Sequence, residues 1–172
     1  MVKIENGQVY STTGKMIRRK GSDACFKRGT VLAADTPDGF DEVSDNWAEL
    51  QEAIRAKTAE IEAHDTGEAI NSFTLQGRRM WLDNALRISI TDSMRKERMA
   101  GMTMTTLWHD GIRYDLPIDT AERMLVALEV YAKQCFNATA RHKAAVAALT
   151  TVEAVVAYDF TEGYPQRLDF TL

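Results

Sequence analysis

Apolar residues recur along this chain at two different periods, and the switches between them mark its elements. Trp47, Leu50, Ile54, Lys57, Ile61 and His64 are spaced alternately by three and four, which predicts a helix with a heptad seam whose polar members are Lys57 and His64. Ser44 is the expected N-cap, Asp45 and Glu49 suit the positive end, and Thr66-Gly67 offers the stop. Leu82, Leu86, Ile90 and Met94 then follow at intervals of four, predicting a helix from about Asp83 to Ala100 that ends at Gly101, with Arg87, Arg95 and Lys96 on its wet side. The longest pattern is Leu125, Leu128, Ala132, Cys135, Thr139, His142, Val146 and Leu149. It predicts a helix starting at Asp119, with Asp119 and Glu122 as a capping box and Pro117 just outside. A short helix over Val152 to Ala157 and an extended tail through Tyr164-Pro165 follow.

Between the helices the period drops to two. Phe73-Thr74-Leu75 is expected to pair with Met80-Trp81-Leu82 across a turn containing Gly77. Met102 to Trp108 should pair with Ile112 to Leu116 through His109-Asp110-Gly111. There Ile112, Tyr114 and Leu116 share one face, and Arg113 and Asp115 the other. Asn6-Gly7 and Gly14 mark turns between short extended runs holding Val9, Ile17 and Val31, and the stretch from Ala33 to Asp45, broken at Pro37 and Gly39, is expected to be a linker. The resulting class is α+β: a short N-terminal β arm, a linking helix, then hairpin, helix, hairpin and long helix around a small antiparallel sheet. The segments run 1–43, 44–66 and 67–172. Trp81, Trp108, Tyr114 and Phe136 are expected in the core.

Composition narrows the chemistry. The 172 residues carry 21 basic and 25 acidic side chains, and a net charge of −4 gives no general argument for nucleic-acid binding. Cys25 and Cys135 lie too far apart in the pattern for a disulfide framework and suit a reducing cytoplasm. Met1 to Tyr10 lacks the apolar core of a signal peptide, and no stretch approaches the roughly 18 apolar residues of a membrane helix. His64, His109 and His142 show no metal-ligand spacing, and no glycine-rich phosphate loop is present. No catalytic, metal or cofactor site is expected, nor a small-molecule substrate; His109 is expected at a surface turn and His142 packed in its helix.

Two features stand above this background. Lys15, Arg18, Arg19, Lys20, Lys27 and Arg28 are offset within their own stretch only by Asp23, and they could lower the Cys25 thiol pKa. Lys15, Arg18, Arg19, Lys27 and Arg28 form a candidate docking arm for an acidic protein surface; a phosphate backbone or a solvated sheet edge are the alternatives. The seam of Trp47, Leu50, Ile54 and Ile61 is a candidate self-association interface, or else docks on its own chain.

Asn71-Ser72-Phe73-Thr74, Met80-Trp81-Leu82-Asp83, Thr106-Leu107-Trp108, Leu116-Pro117-Ile118, Leu128-Glu129-Val130-Tyr131-Ala132 with Cys135, and Thr139-Ala140-Arg141-His142-Lys143 leading to Tyr158 resemble a domain of unknown function in proteins of tailed bacteriophages and prophages, often attached to tail-fibre or tail-assembly proteins. The resemblance covers Ile70 to Pro165, and Val9 to Lys15 with Phe26-Lys27-Arg28 resemble the start of short prophage proteins bearing that domain. It implies a structural part of a phage tail at the baseplate, a fibre attachment or a neighbouring junction, or alternatively a tail-fibre assembly chaperone absent from the virion. The partners it implies are other tail proteins and further copies of the chain. Synthesis would be in the host cytoplasm and the final location the tail.

Overall fold

Three tight turns organise the strands of the computed structural model, which describes residues 1–171. Asn6-Gly7, Gln76-Gly77 and Asp110-Gly111 have positive φ at both positions, the backbone that closes a two-residue hairpin with the twist strands require. With the helices between them these strands give the expected α+β class. Contacts divide the chain into two units, Met1–Ala59 with Val146–Tyr158, and Glu60–Ala145 with the chain from Asp159 onward. Each unit thus draws on two separate stretches, a partition that cuts across the three consecutive segments. None of the described helices is long and apolar enough to cross a membrane.

The first unit holds two three-stranded antiparallel sheets. β1 (Val2–Glu5), β2 (Gln8–Ser11) and β5 (Arg28–Thr30) make one in that order. β4 (Cys25–Phe26), β3 (Met16–Arg19) and β6 (Phe40–Val43) make the other. Val9, Ile17 and Phe40 form the core, with Val2, Ile4, Phe26 and Val31 packed around them. The stretch expected to be a linker is therefore partly sheet. After a single 3₁₀ turn at Pro37–Gly39, β6 pairs with β3 along its whole length, Phe40 supplying a core side chain and Asp41 a carboxylate for Arg18 and Lys20.

Gly29 lies where the Phe26 ring crosses β5: a Cβ there would stand 2.5 Å from Cε2 of that ring. Gly29→Ala should cost about 1–3 kcal/mol by displacing Phe26 from its edge-on contact with Phe40, measurable by urea unfolding. Glu42 accepts hydrogen bonds from the Met1 amino group, Ser11 and Thr13. Those donors, the amino group foremost, bring its pKa from 4.5 down to about 2. A carboxylate with a lowered folded pKa stabilises the fold above its unfolded pKa, and that stability is lost as pH falls through the folded one. Glu42→Gln should therefore be less stable than wild type at neutral pH, with the difference shrinking between pH 4.5 and about 2 in unfolding midpoints taken across that range.

Helix α1 (Trp47–Thr66) begins three residues beyond Ser44, whose carbonyl accepts from the Trp47 amide at 3.1 Å. On its seam Leu50 and Ile61 are buried, and Trp47, Ile54, Lys57 and His64 half-buried, all within a single copy of the chain. The last helix of the chain, Val152–Ala157, has the expected span, with Thr151 Oγ1 accepting from the Ala154 amide at 3.2 Å.

In the second unit the strands form two small sheets. β7 (Phe73–Leu75) is central in the first, with β8 (Arg78–Met80) antiparallel on one side and β11 (Asp169–Phe170) from the tail parallel on the other. The two-residue turn pairs Phe73 with Met80, so β8 stops before the Trp81-Leu82 expected in it. β9 (Met104–His109) and β10 (Ile112–Pro117) form a two-stranded ribbon. Its inner residues pack with α2 (Asn84–Met99) and α3 (Ile118–Ala147) in a core centred on Phe73, Leu75, Leu82, Met94, Leu116 and Leu128.

Helix α2 corrects two expectations. Asp83 caps it, accepting from the Leu86 amide at 2.8 Å, but Leu86 is 41% exposed and Arg87 only 5%. A spacing of four advances about 40° per step around a helix, so Leu86 lies about 80° from Met94 and off the buried face. Arg87 occupies that face instead: Nε donates to Glu129 at 2.7 Å, Nη1 to the Leu82 carbonyl at 2.6 Å, and the guanidinium lies over Trp81. In α3 the three-four pattern does face inward, from Leu125 and Leu128 through Cys135 and Thr139. Its start differs from the expected capping box: the helix begins at Ile118, and Asp119 and Glu122 both accept from Arg98 Nη2 of α2, at 2.8 and 2.6 Å.

Candidate functional site

The candidate docking arm is folded into sheet and largely neutralised. Arg18 stands directly across from Asp41, binds it at 3.2 Å and lies over Trp47. Arg19 pairs with Asp35 and lies over Phe40, Lys27 pairs with Asp45 at 3.5 Å, and Arg28 lies over the Tyr10 ring. Lys15 stands exposed beside the turn at Gly14. The acidic side chains that answer this cluster lie in the next stretch of chain, where only the strand pairing brings them back. Cys25 is not activated by its setting, since burial pushes the thiol pKa up against the opposing pull of Arg18.

His64 and His142 meet the tail of the chain in the second unit. His142 stacks on Tyr164, with ring centroids 5.6 Å apart, and its Nε2 lies 2.9 Å from the Glu162 carbonyl. His64 meets Phe160 and Tyr164 edge-on at 5.6 and 5.3 Å. Thr139 Oγ1 bonds both Asp65 at 2.8 Å and the Tyr164 hydroxyl at 2.9 Å. This arrangement pins the tail to α1 and α3 by ring stacking and hydrogen bonds. His109, expected in a turn, is the last residue of β9 and contacts Asp110 at 3.4 Å. Among the described residues no three metal-ligating side chains gather.

The second unit also carries a concentration of exposed apolar side chains. On β9 the alternation buries Thr105 and Leu107 and turns Met104 and Trp108 outward, 44% and 62% exposed. Met99 and Met102, close before them in the chain, are exposed as well. On α3 Val126 and Val130, one turn apart, are exposed, and so is Phe136 at 62%, with Lys133 over its ring. Val126 and Val130 rim a groove of about 420 Å³ with Met94 and Leu125 also lining it, bordered by Thr91, Glu122 and Glu129. The single chain leaves the apolar surface of these side chains uncovered.

Of the four aromatics expected in the core, Tyr114 is buried, Trp81 is half-buried, and Trp108 and Phe136 point to solvent. The signal for Trp108 was present in the sequence. A two-residue Asp110-Gly111 turn sets Trp108 opposite Arg113, already assigned to the wet face, whereas a three-residue turn including His109 slips the register by one and sends Trp108 inward. Comparison with protein-family models, with curated proteins and with solved structures finds no match to this chain.

Proposed function

We propose that the protein is a structural component of a bacteriophage tail, at the baseplate, a fibre attachment or an adjacent junction, and that it acts by protein–protein assembly without catalysing a reaction. The observation that supports this reading is the number of exposed apolar side chains on the second unit, Met104, Trp108, Val126, Val130 and Phe136 among them, which protein contacts would cover. The bacteriophage setting rests on the sequence resemblance between Ile70 and Pro165. In this reading the first unit contributes a charge-matched module whose cations are held by its own carboxylates.

Mass spectrometry of purified virions tests the proposal. The protein is expected in the particles at a fixed ratio to the known tail components. Its absence from particles, despite expression during infection, would overturn the structural role. If it were instead recovered in lysate bound to a fibre subunit, the chaperone reading would replace it.

A further inference from the structure

The ribbon of β9 and β10 has two outer edges that no other described strand pairs with. In a two-residue hairpin the residues flanking the turn, here His109 and Ile112, exchange backbone hydrogen bonds, and bonded and non-bonded pairs alternate from there. The backbone groups of Met104, Thr106 and Trp108 on β9, and of Arg113 and Asp115 on β10, therefore point away from the ribbon. The two edges differ in chemistry. Along β10 lie Arg113, Asp115 and Pro117, charges and a proline of the kind that protect an edge from pairing. The β9 edge has neither: it offers Met104, Thr106 and Trp108.

The geometry points to the β9 edge as a self-association site, taking β9 of a second copy of this chain in antiparallel register about a two-fold axis at Thr106. In that register Thr106 faces its own counterpart, and Met104 of each copy lies opposite Trp108 of the other. All three are outward-facing, so their free amides and carbonyls meet as bonded pairs. The same three side chains share the exposed face of the ribbon, so the apolar Met104 and Trp108 cover each other twice across the axis. The strand is its own complement, which is what an isologous interface demands and what an unrelated partner strand would have to reproduce. The product is a four-stranded sheet with a β10 at each end. Self-pairing of β10 about Tyr114 would also match Arg113 with Asp115, but Asp115 Oδ1 is already engaged by Arg113 at 2.9 Å and by Thr106 at 2.7 Å. This assigns copy-to-copy contact to the ribbon, away from the α1 seam, where Leu50 and Ile61 are already buried.

The inference specifies a contact for the assembly reading and is tested on the purified full chain, so a failure here leaves the virion result standing. Light scattering after size exclusion should give twice the 19.3 kDa monomer mass, and Thr106→Lys, which sets two ammonium groups on the axis, should return it to 19.3 kDa. Hydrogen exchange on the wild-type dimer should show the Thr106 and Trp108 amides slowed about tenfold or more relative to dilute monomer. Met104→Lys with Trp108→Lys, and Met104→Glu with Trp108→Glu, should each be monomeric alone and form a mixed dimer when combined. Three results would overturn the proposal: a wild-type monomer at every concentration, a dimer whose Thr106 and Trp108 amides exchange freely, or a dimer that survives Thr106→Lys and is lost with Arg113→Glu. If Thr106→Lys fails to fold, the exchange and mixing experiments decide it.

Discussion

Phe73→Ala is expected to destabilise the second unit by about 3–5 kcal/mol, the range for emptying a fully buried aromatic site. Phe73 has no exposed surface and sits in the central strand of its sheet. Its backbone pairs with Met80 on β8, the Thr74 amide beside it donates to Leu168 in the tail at 3.0 Å, and its ring meets Phe170 edge-on at 5.7 Å. Held from both sides, β7 cannot move in to fill the space, so the cavity term adds to the lost burial. Phe136→Ala removes a ring of the same size from an exposed position and should stay within about 0.5 kcal/mol. Urea unfolding of the two variants at a common slope makes the comparison direct. A Phe73→Ala cost below about 1 kcal/mol would mean that the strand is not held as described.

Arg87→Ala should cost about 2–4 kcal/mol, while Leu86→Ala next to it should cost no more than about 0.5 kcal/mol. The alanine leaves the Leu82 carbonyl without the buried guanidinium that bonds it and removes the cation from over Trp81. Glu129 is about half exposed and recovers hydration, which keeps the cost below that of breaking a fully buried pair. Arg87→Met should recover part of the loss, because the arginine stem fills space as well as carrying charge. Equal effects of the two alanines in thermal unfolding would contradict the assignment of the buried face of α2.

These two sites show how far the sequence could be read. Phe73 is apolar at a strand position, and the alternation around it identifies it as core. Arg87 is different, because an arginine enters a core only when a carbonyl and a carboxylate wait for it, and those belong to Leu82 and to Glu129 on another helix. The same holds for the basic strand of the first unit. Its cations are visible in the sequence, but Asp41 and Asp35 count as partners of Arg18 and Arg19 only after the chain has folded back beside β3. Within the ribbon a single residue of turn length separated a buried Trp108 from an exposed one, because side chains alternate faces at every residue.

Local sequence determined what local forces govern: the periods of α1 and α3, the tight hairpin turns, the short C-terminal helix and the α+β class. Those depend chiefly on spacing and on backbone freedom within a few residues. Tertiary structure decided which charges neutralise each other, which face of α2 is buried, and that the tail adds a parallel strand to β7. Each of these is a pairing between residues distant in sequence, and its energy exists only once the fold has brought the two partners together.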